Sequence, residues 1–190
     1  QEKKAAKNNP YLYVLDFNGD ISASQVEQLR ETITAVLSII DKKDEILIKL
    51  ESPGGLVSSY GLAASQLQRI RDRDIPLTVC IDKIAASGGY LMACVANQIV
   101  AAPFAIIGSI GVVAEFPNFH RLLKKNNVDI ELITAGEYKR TLTRFGENTE
   151  KGRKKFQEDL EKIHLAFRDH VASNREHLDI TQVATGEHWL

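Results

Sequence analysis

The sequence of 190 residues predicts an α/β domain in which βαβ units form a parallel sheet. Short apolar runs, typical of strands, alternate along the chain with longer segments whose apolar residues recur at helical spacing. Breaks rich in small residues, several of them containing glycine, separate these segments. The sequence shows neither an internal repeat nor a low-complexity tract, and its length suits one domain with a short arm.

The predicted elements follow from local pattern, in chain order. A strand over 11–17 rests on β-forming residues that end at an Asn-Gly-Asp turn. The helix over 22–40 rests on apolar residues at helical spacing and on a capping box of Ser22 and Gln25. The same patterns predict further strands over 46–50, 77–81, 99–102, 110–114 and 128–134. They also predict four further helices: one ending near residue 71, one ending near residue 96, one over 119–125 and one over 156–171. Residues 136–148 form a polar loop.

Composition excludes several classes of protein. Lys and Arg total 24 and Asp and Glu total 25, so the net charge of −1 gives no basis for broad binding to nucleic acid or an anionic membrane surface. A hydrophobic fraction of 44% argues against wholesale disorder, and two cysteines are too few for a disulfide framework or a zinc ribbon. We expect no nucleic-acid partner, no metal and no cofactor.

One uncharged stretch, over 84–114, is long enough to span a bilayer. Asn97 and Gln98 lie near its middle, and Pro103 and Gly108 interrupt it. A buried helix, turn and strand therefore explain this stretch better than a membrane span.

Two glycine pairs, Gly54-Gly55 and Gly88-Gly89, each follow a predicted strand and open a helix. The first N–H groups of a helix lack partners, so two such ends side by side would suit an oxyanion, a phosphate or a thioester carbonyl. Neither break matches a Walker loop or a dinucleotide fingerprint. Ser87, flanked by small residues, is a candidate nucleophile, and a capping serine in an ordinary turn is the alternative interpretation.

A nucleophilic serine needs a base, and the sequence offers histidine or lysine. All five histidines lie downstream of Ser87, and four fall on or beyond the long charged helix, so a Ser-His-Asp triad has no support. A lysine serves only when it is neutral, which requires its pKa to fall from about 10.4 to about 7 through burial away from carboxylates. Lys83 and Lys139 are both candidates, and spacing alone does not choose between them.

Five motifs occur in order along the chain: ESPGG over 51–55, IAASGGY over 84–90, GSIGV over 108–112, GEYK over 136–139 and ATGEHW over 184–189. Through them the chain, from Tyr11 to Trp189, resembles the signal peptide peptidase A family, in particular its SohB-type bacterial inner-membrane serine peptidases. The resemblance implies a ClpP/crotonase-like spiral of βαβ units. It also implies a serine endopeptidase with a Ser-Lys dyad that cleaves apolar peptide segments, such as signal-peptide or membrane-protein remnants.

Individual roles follow from the same resemblance. Ser87 matches the family nucleophile, Lys139 the general base and Gly54 an oxyanion-hole residue, with the N–H of Gly88 as the natural second donor. Ser109 matches a serine that orients the lysine, and a turn-forming serine is the alternative. The sequence departs from the family where Lys139 is followed by Arg-Thr-Leu in place of a Ser-Pro-x-Arg-like segment, which affects the conformation of that loop.

The resemblance also implies a homo-oligomer with active sites near subunit interfaces, and a bacterial inner-membrane protein whose domain is periplasmic. Because the chain begins with Gln1, we expect a fragment whose membrane anchor lies upstream. The expected organisation is a flexible arm over 1–10, a peptidase domain over 11–174, and a loosely packed, truncated C-terminal extension over 175–190.

Two other functions use the same fold. An acyl-CoA enzyme of crotonase type needs the same paired N–H groups and a carboxylate, for which Glu115 is the nearest candidate in sequence. A non-catalytic oligomeric module would keep the fold without the chemistry. Turnover of a thioester would favour the first, and oligomers that never react with a serine probe would favour the second.

Overall fold

The computed structural model describes residues 9–190, and the packing of the chain divides it into two compact units. The first unit holds the residues up to Gly111 together with Phe167–Leu190, and the second holds Val112–Ala166. The predicted arm over 1–10 lies outside the described residues, except for Asn9 and Pro10.

Two sheets of mostly parallel strands organise the first unit. In the larger sheet all strands are parallel, in the order β1 (Leu12–Asn18), β2 (Glu45–Glu51), β3 (Leu77–Ile81) and β5 (Gln98–Ala101). In the smaller sheet, β4 (Ile84–Ala86) pairs parallel with β6 (Ile106–Gly108), which pairs antiparallel with β7 (His188–Trp189). The predicted α/β class with parallel strands is confirmed.

The helices of this unit are α1 (Val26–Ile39), α2 (Val57–Arg71), α3 (Gly88–Ala93), the end of α5 (Glu150–Asn174) and α6 (Ile180–Val183). The predicted helical spacing is confirmed in α1, where Ile33 is fully buried, and in β2 the alternate residues Ile46 and Ile48 are fully buried. The predicted capping box is wrong. Gln25 Oε1 accepts the backbone N–H of Asn18 at 2.9 Å, and no side chain caps α1.

The uncharged stretch over 84–114 folds into β4, α3, β5 and β6. The prediction of buried elements holds for β4 and α3, whereas β5 is mostly exposed. Within it, Met92, Ala93 and Cys94 are fully buried. Within residues 9–190, no helix combines the length and the apolar composition that crossing a bilayer requires.

The C-terminal residues pack more closely than the loose extension that the sequence predicted. Ile180 and Val183 of α6 pack against the core, and Ala184 is buried. The strand β7 then adds to the edge of the smaller sheet. A short segment with few apolar residues shows no clear periodicity, so this packing is visible only in the tertiary structure.

The second unit contains α4 (His120–Lys125) and the first part of α5, and none of its residues is buried. Aromatic pairs provide its ring contacts: Phe116 meets Phe156 edge to face at 6.0 Å between centroids, and Phe119 stacks on Phe145 at 6.1 Å.

Two predicted strands, over 110–114 and 128–134, are wrong. The first is displaced because β6 ends at Gly108, whose φ of +91° turns the chain out of the extended conformation. The second lies in the second unit, to which neither sheet extends. Strand-forming residues need a hydrogen-bonded neighbour, and within residues 9–190 this segment pairs with none.

Candidate active site

The end of β2 is fastened to β4 by backbone hydrogen bonds at Ser52. Its N–H donates to Ile84 O at 2.8 Å, and its carbonyl accepts the N–H of Ala86 at 3.0 Å. The bridge between Ser52 and Ala85 is parallel. Because both segments run in one direction, the breaks that follow them, over 53–55 and 87–89, lie side by side.

The two breaks meet at Gly54, whose φ is +91°. A Cβ at this position would lie 2.6 Å from Gly88 N and 2.8 Å from Ser87 Cβ. Only glycine fits both the backbone conformation and the available space. Three of the predicted site residues, Gly54, Ser87 and Gly88, are therefore brought together.

Ser87 stands in a strained backbone conformation between β4 and α3, with φ of 51° and ψ of −118°. Residues with a Cβ rarely adopt this region of φ and ψ. The conformation costs about 1–3 kcal/mol of folding free energy, which the surrounding contacts must offset. Its N–H donates to Gly108 O at 2.8 Å, and the residue is half-buried. A sharp strand-to-helix turn of this kind presents a nucleophile's side chain to a substrate.

A buried hydrogen-bond network supports the first glycine turn, and sequence reasoning missed it. The Tyr60 hydroxyl donates to Asp20 O at 2.7 Å and lies 2.6 Å from Ser52 Oγ. Because Tyr60 has one hydroxyl proton, Ser52 donates to Tyr60, and Ser52 Oγ accepts the N–H of Gly54 at 3.1 Å. Burial raises the pKa of Tyr60, which keeps this donor protonated.

The network determines which backbone N–H groups of the two glycine turns are available to bind an oxyanion. The N–H of Gly54 is engaged by Ser52 Oγ, whereas the structure shows no acceptor within residues 9–190 for the N–H groups of Gly55 and Gly88. A Cβ on Gly88 would lie 2.4 Å from Tyr60 Cγ, so the phenol ring also fixes the position of this glycine. The turn over 54–55 thus has a second candidate donor, Gly55, beside the predicted Gly54.

Ser109 belongs to the turn that follows β6 and has φ of 51°. Its N–H donates to Glu187 O at 2.7 Å, and its hydroxyl donates to Gly186 O at 3.4 Å, a weak bond at that length. Since Gly108 O holds Ser87, this turn adjoins the nucleophile's backbone. The predicted role of Ser109 in orienting a lysine stays a prediction.

The structure distinguishes the two candidate lysines. Lys83 Nζ lies 3.0 Å from a Glu51 carboxylate oxygen and forms an exposed ion pair with it. Lys139 belongs to the second unit, where it is exposed and its N–H donates to Gly136 O at 3.1 Å. Within residues 9–190, no ion pair of Lys139 with a carboxylate is found.

The other residues considered for chemistry, the histidines and Glu115, lie outside the two glycine turns. His170 Nε2 lies 3.1 Å from Leu91 O, and burial lowers the pKa of this histidine. Glu115 is an exposed residue of the second unit, where it lines a surface cleft together with Arg140 and Arg144. Across the described chain, no group of three or more His, Cys, Asp or Glu residues could hold a metal ion.

Two models of known protein families match nearly the whole length of the chain. The model described as peptidase family S49 matches residues 69–190, and the one described as peptidase family S49 N-terminal matches residues 1–67. The chain is 61% identical over 189 residues to "Probable protease SohB" of Haemophilus influenzae. It is 61% identical over 184 residues to the protein of the same name from Buchnera aphidicola subsp. Schlechtendalia chinensis. It covers 52% and 60% of those relatives, so it spans little more than half their length.

Solved structures agree at the level of the fold. Two structures of a protein called 1510-N membrane-bound stomatin-specific protease, one of them in complex with a substrate peptide, match with TM-scores of 0.58 and 0.59. Their identities are 20% and 19%, and the matches cover 94% of this chain and 66% and 70% of those chains. The predicted ClpP-like fold and the resemblance to SohB-type peptidases are confirmed. The chain belongs to peptidase family S49.

Proposed function

We propose that this chain is the peptidase domain of a serine endopeptidase in which Ser87 is the nucleophile and Lys139 the general base. The observation that carries the proposal is the strained backbone of Ser87, held beside Gly54 and directly before the N–H of Gly88. An unfavourable conformation at the residue that also aligns with the family nucleophile supports a functional reason for the strain.

Lys139 is exposed in the single chain, so this mechanism requires that assembly of the subunits bury it away from carboxylates. Neutral Lys139 then removes the hydroxyl proton of Ser87, and Oγ attacks a peptide carbonyl. The N–H groups of Gly88 and Gly55 stabilise the oxyanion, and the predicted donor Gly54 contributes only if its N–H exchanges Ser52 Oγ for the oxyanion. Protonated Lys139 then gives its proton to the leaving amine, and water hydrolyses the acyl-enzyme. Ser109 orients the lysine amine, a role that its position beside Gly108 supports.

Apolar peptide segments, such as signal-peptide or membrane-protein remnants, are the proposed substrates. The uncharged stretch that contains Ser87 supports this class, because an apolar lining favours apolar substrates. From the family resemblance we also propose a location at the bacterial inner membrane, with an anchor outside these 190 residues and a periplasmic domain. The related structures are described as membrane-bound, which supports an association with a membrane.

A homo-oligomer with active sites near its subunit interfaces completes the proposal. The second unit supports it, since it buries none of its residues and leaves Val113, Ile133 and Leu132 more than half exposed. Val113 and Leu132 line the same surface cleft, and exposed apolar side chains that lie together mark contact sites in proteins that assemble.

The test is labelling by a fluorophosphonate, which reacts with activated serines, together with cleavage of an apolar peptide. We expect Ser87→Ala to abolish labelling and Lys139→Ala to lower the rate by about 10²–10⁴-fold, the usual contribution of a general base. Lys83→Ala is the matched lysine control and leaves the rate unchanged. Equal labelling of Ser87→Ala, or a larger loss in Lys83→Ala than in Lys139→Ala, would contradict the assignment.

A further inference from the structure

Residues 184–189, called here the strap, follow α6 and end in β7, the third strand of the smaller sheet. The strap begins at Ala184, which is 8% exposed and lies where Ile180 and Val183 of α6 pack against the core. It continues into β7, where His188 lies opposite Gly108 of β6. A buried apolar anchor thus holds one end of the strap on the first unit.

The strap contacts the turn at Gly108 and Ser109 in three ways. Glu187 O accepts the N–H of Ser109 at 2.7 Å, and Gly186 O accepts its hydroxyl at 3.4 Å. The indole of Trp189 lies against Gly108, where a Cβ would come within 2.8 Å of Trp189 Cδ1. Both residues of the turn are therefore held by the strap.

The same turn holds Ser87, because Gly108 O accepts the N–H of Ser87 at 2.8 Å. Gly108, Ser109 and Ser87 all have positive φ, at 91°, 51° and 51°. Positive φ is unfavourable for serine and persists only where neighbouring contacts hold it. One chain of contacts therefore leads from Trp189 and Glu187 through Gly108 to the nucleophile's backbone.

On the basis of the proposed function, we infer that the strap is a positioning element for the nucleophile. Trp189 and the Glu187 carbonyl hold the turn at Gly108 and Ser109, and Gly108 O holds Ser87 in the conformation for attack. Trp189 acts through Gly108 and is a positioning residue. Trp189 is 44% exposed and β7 is an edge strand of two residues, so the hold of the strap on this turn depends on the contacts described above.

The test compares Trp189→Ala and Trp189→Phe in the 190-residue chain, with Phe104→Ala as the control. Phe104 belongs to the same unit and is 87% exposed, so its removal changes an aromatic side chain without disturbing a contact. We expect Trp189→Ala to slow fluorophosphonate labelling of Ser87 by about tenfold or more, since small errors in position cost that much. It should also speed hydrogen exchange of the Ser87 amide, while Trp189→Phe restores both and Phe104→Ala changes neither.

Trp189 is the only tryptophan of the chain, so its fluorescence reports on the strap directly. Phosphonylation of wild-type Ser87 by the fluorophosphonate, in which Oγ bonds to phosphorus and fluoride leaves, should change the quenching of this fluorescence by acrylamide. An unchanged labelling rate in Trp189→Ala overturns the inference even if fluorescence changes. If the wild type is never labelled, the proposed function fails. Hydrogen exchange at the Ser87 amide still tests the strap in that case, and equal exchange rates in Trp189→Ala and the wild type would refute its role. Should Trp189→Ala not fold, Trp189→Leu is measured in its place with the same criteria.

Discussion

The buried hydroxyl of Tyr60 allows a quantitative test of how the first glycine turn is held. Tyr60→Phe removes one oxygen and leaves the ring against Gly88, so no cavity of more than one atom arises. The substitution deletes the hydrogen bonds to Ser52 Oγ and to Asp20 O. Asp20 O keeps the N–H of Ala23 at 3.0 Å, whereas the Ser52 hydroxyl, fully buried, loses its acceptor.

The expected cost follows from these partners. A net hydrogen bond contributes about 0.5–1.5 kcal/mol, and a buried donor left without an acceptor costs about 1–3 kcal/mol. We therefore expect Tyr60→Phe to lower the free energy of unfolding by roughly 2–3 kcal/mol. For a chain of this length, each kcal/mol lowers the Tm by about 2–4 °C.

Urea unfolding of Tyr60→Phe, Ser52→Ala and the double variant gives the measurement. Because the double variant removes both partners, its loss should fall short of the sum of the single losses by about 1 kcal/mol. Tyr13→Phe is the matched control, since Tyr13 is only partly buried and no hydrogen bond of its hydroxyl is found within residues 9–190. A wild-type stability for Tyr60→Phe, or strictly additive losses, would refute the network.

Two further predictions use the shifted pKa values. Burial raises the pKa of the Cys94 thiol to about 12. In a Cys80→Ser background we therefore expect iodoacetamide at pH 8 to alkylate Cys94 only after the chain unfolds. Fast alkylation of the folded chain would contradict this. Burial lowers the pKa of His170 below 6.5, so its unfolded form binds a proton first and stability should fall as the pH drops below about 6.5. Urea unfolding from pH 7.5 to 5 should show this loss in the wild type and in His177→Gln, an exposed-histidine control, and less of it in His170→Gln; equal slopes in all three would count against the burial effect.

Local pattern was sufficient for the elements whose side chains alternate between core and solvent. The helical spacing that includes Ile33 and the strand predicted over 46–50 both appear in the structure. Pattern failed over 110–114 and 128–134, where β-forming residues occur without the conditions for a strand. The first segment follows a turn with positive φ, and the second has no neighbouring strand within the described chain.

The candidate site divides in the same way. Glycine pairs after two strands indicated which residues would approach a ligand, because only glycine allows close approach and positive φ. No local sequence pattern indicated the Tyr60–Ser52 network or the contacts of the strap. Tyr60 and Ser52 are 8 residues apart in the chain, and Ser109 and Gly186 of the strap are 77 residues apart.

The sequence by itself determined the α/β class, the order of its main strands and helices and the family, because these depend on periodicity and on motifs contiguous in the chain. Only the tertiary structure decided that Ser87 is strained, that Gly54 N–H is engaged by Ser52, that Lys83 pairs with Glu51 and that residues 184–189 cover the turn beside the nucleophile. The physical reason is that hydrogen bonds, ion pairs and backbone strain arise from contacts between distant segments, which become neighbours only when the core packs.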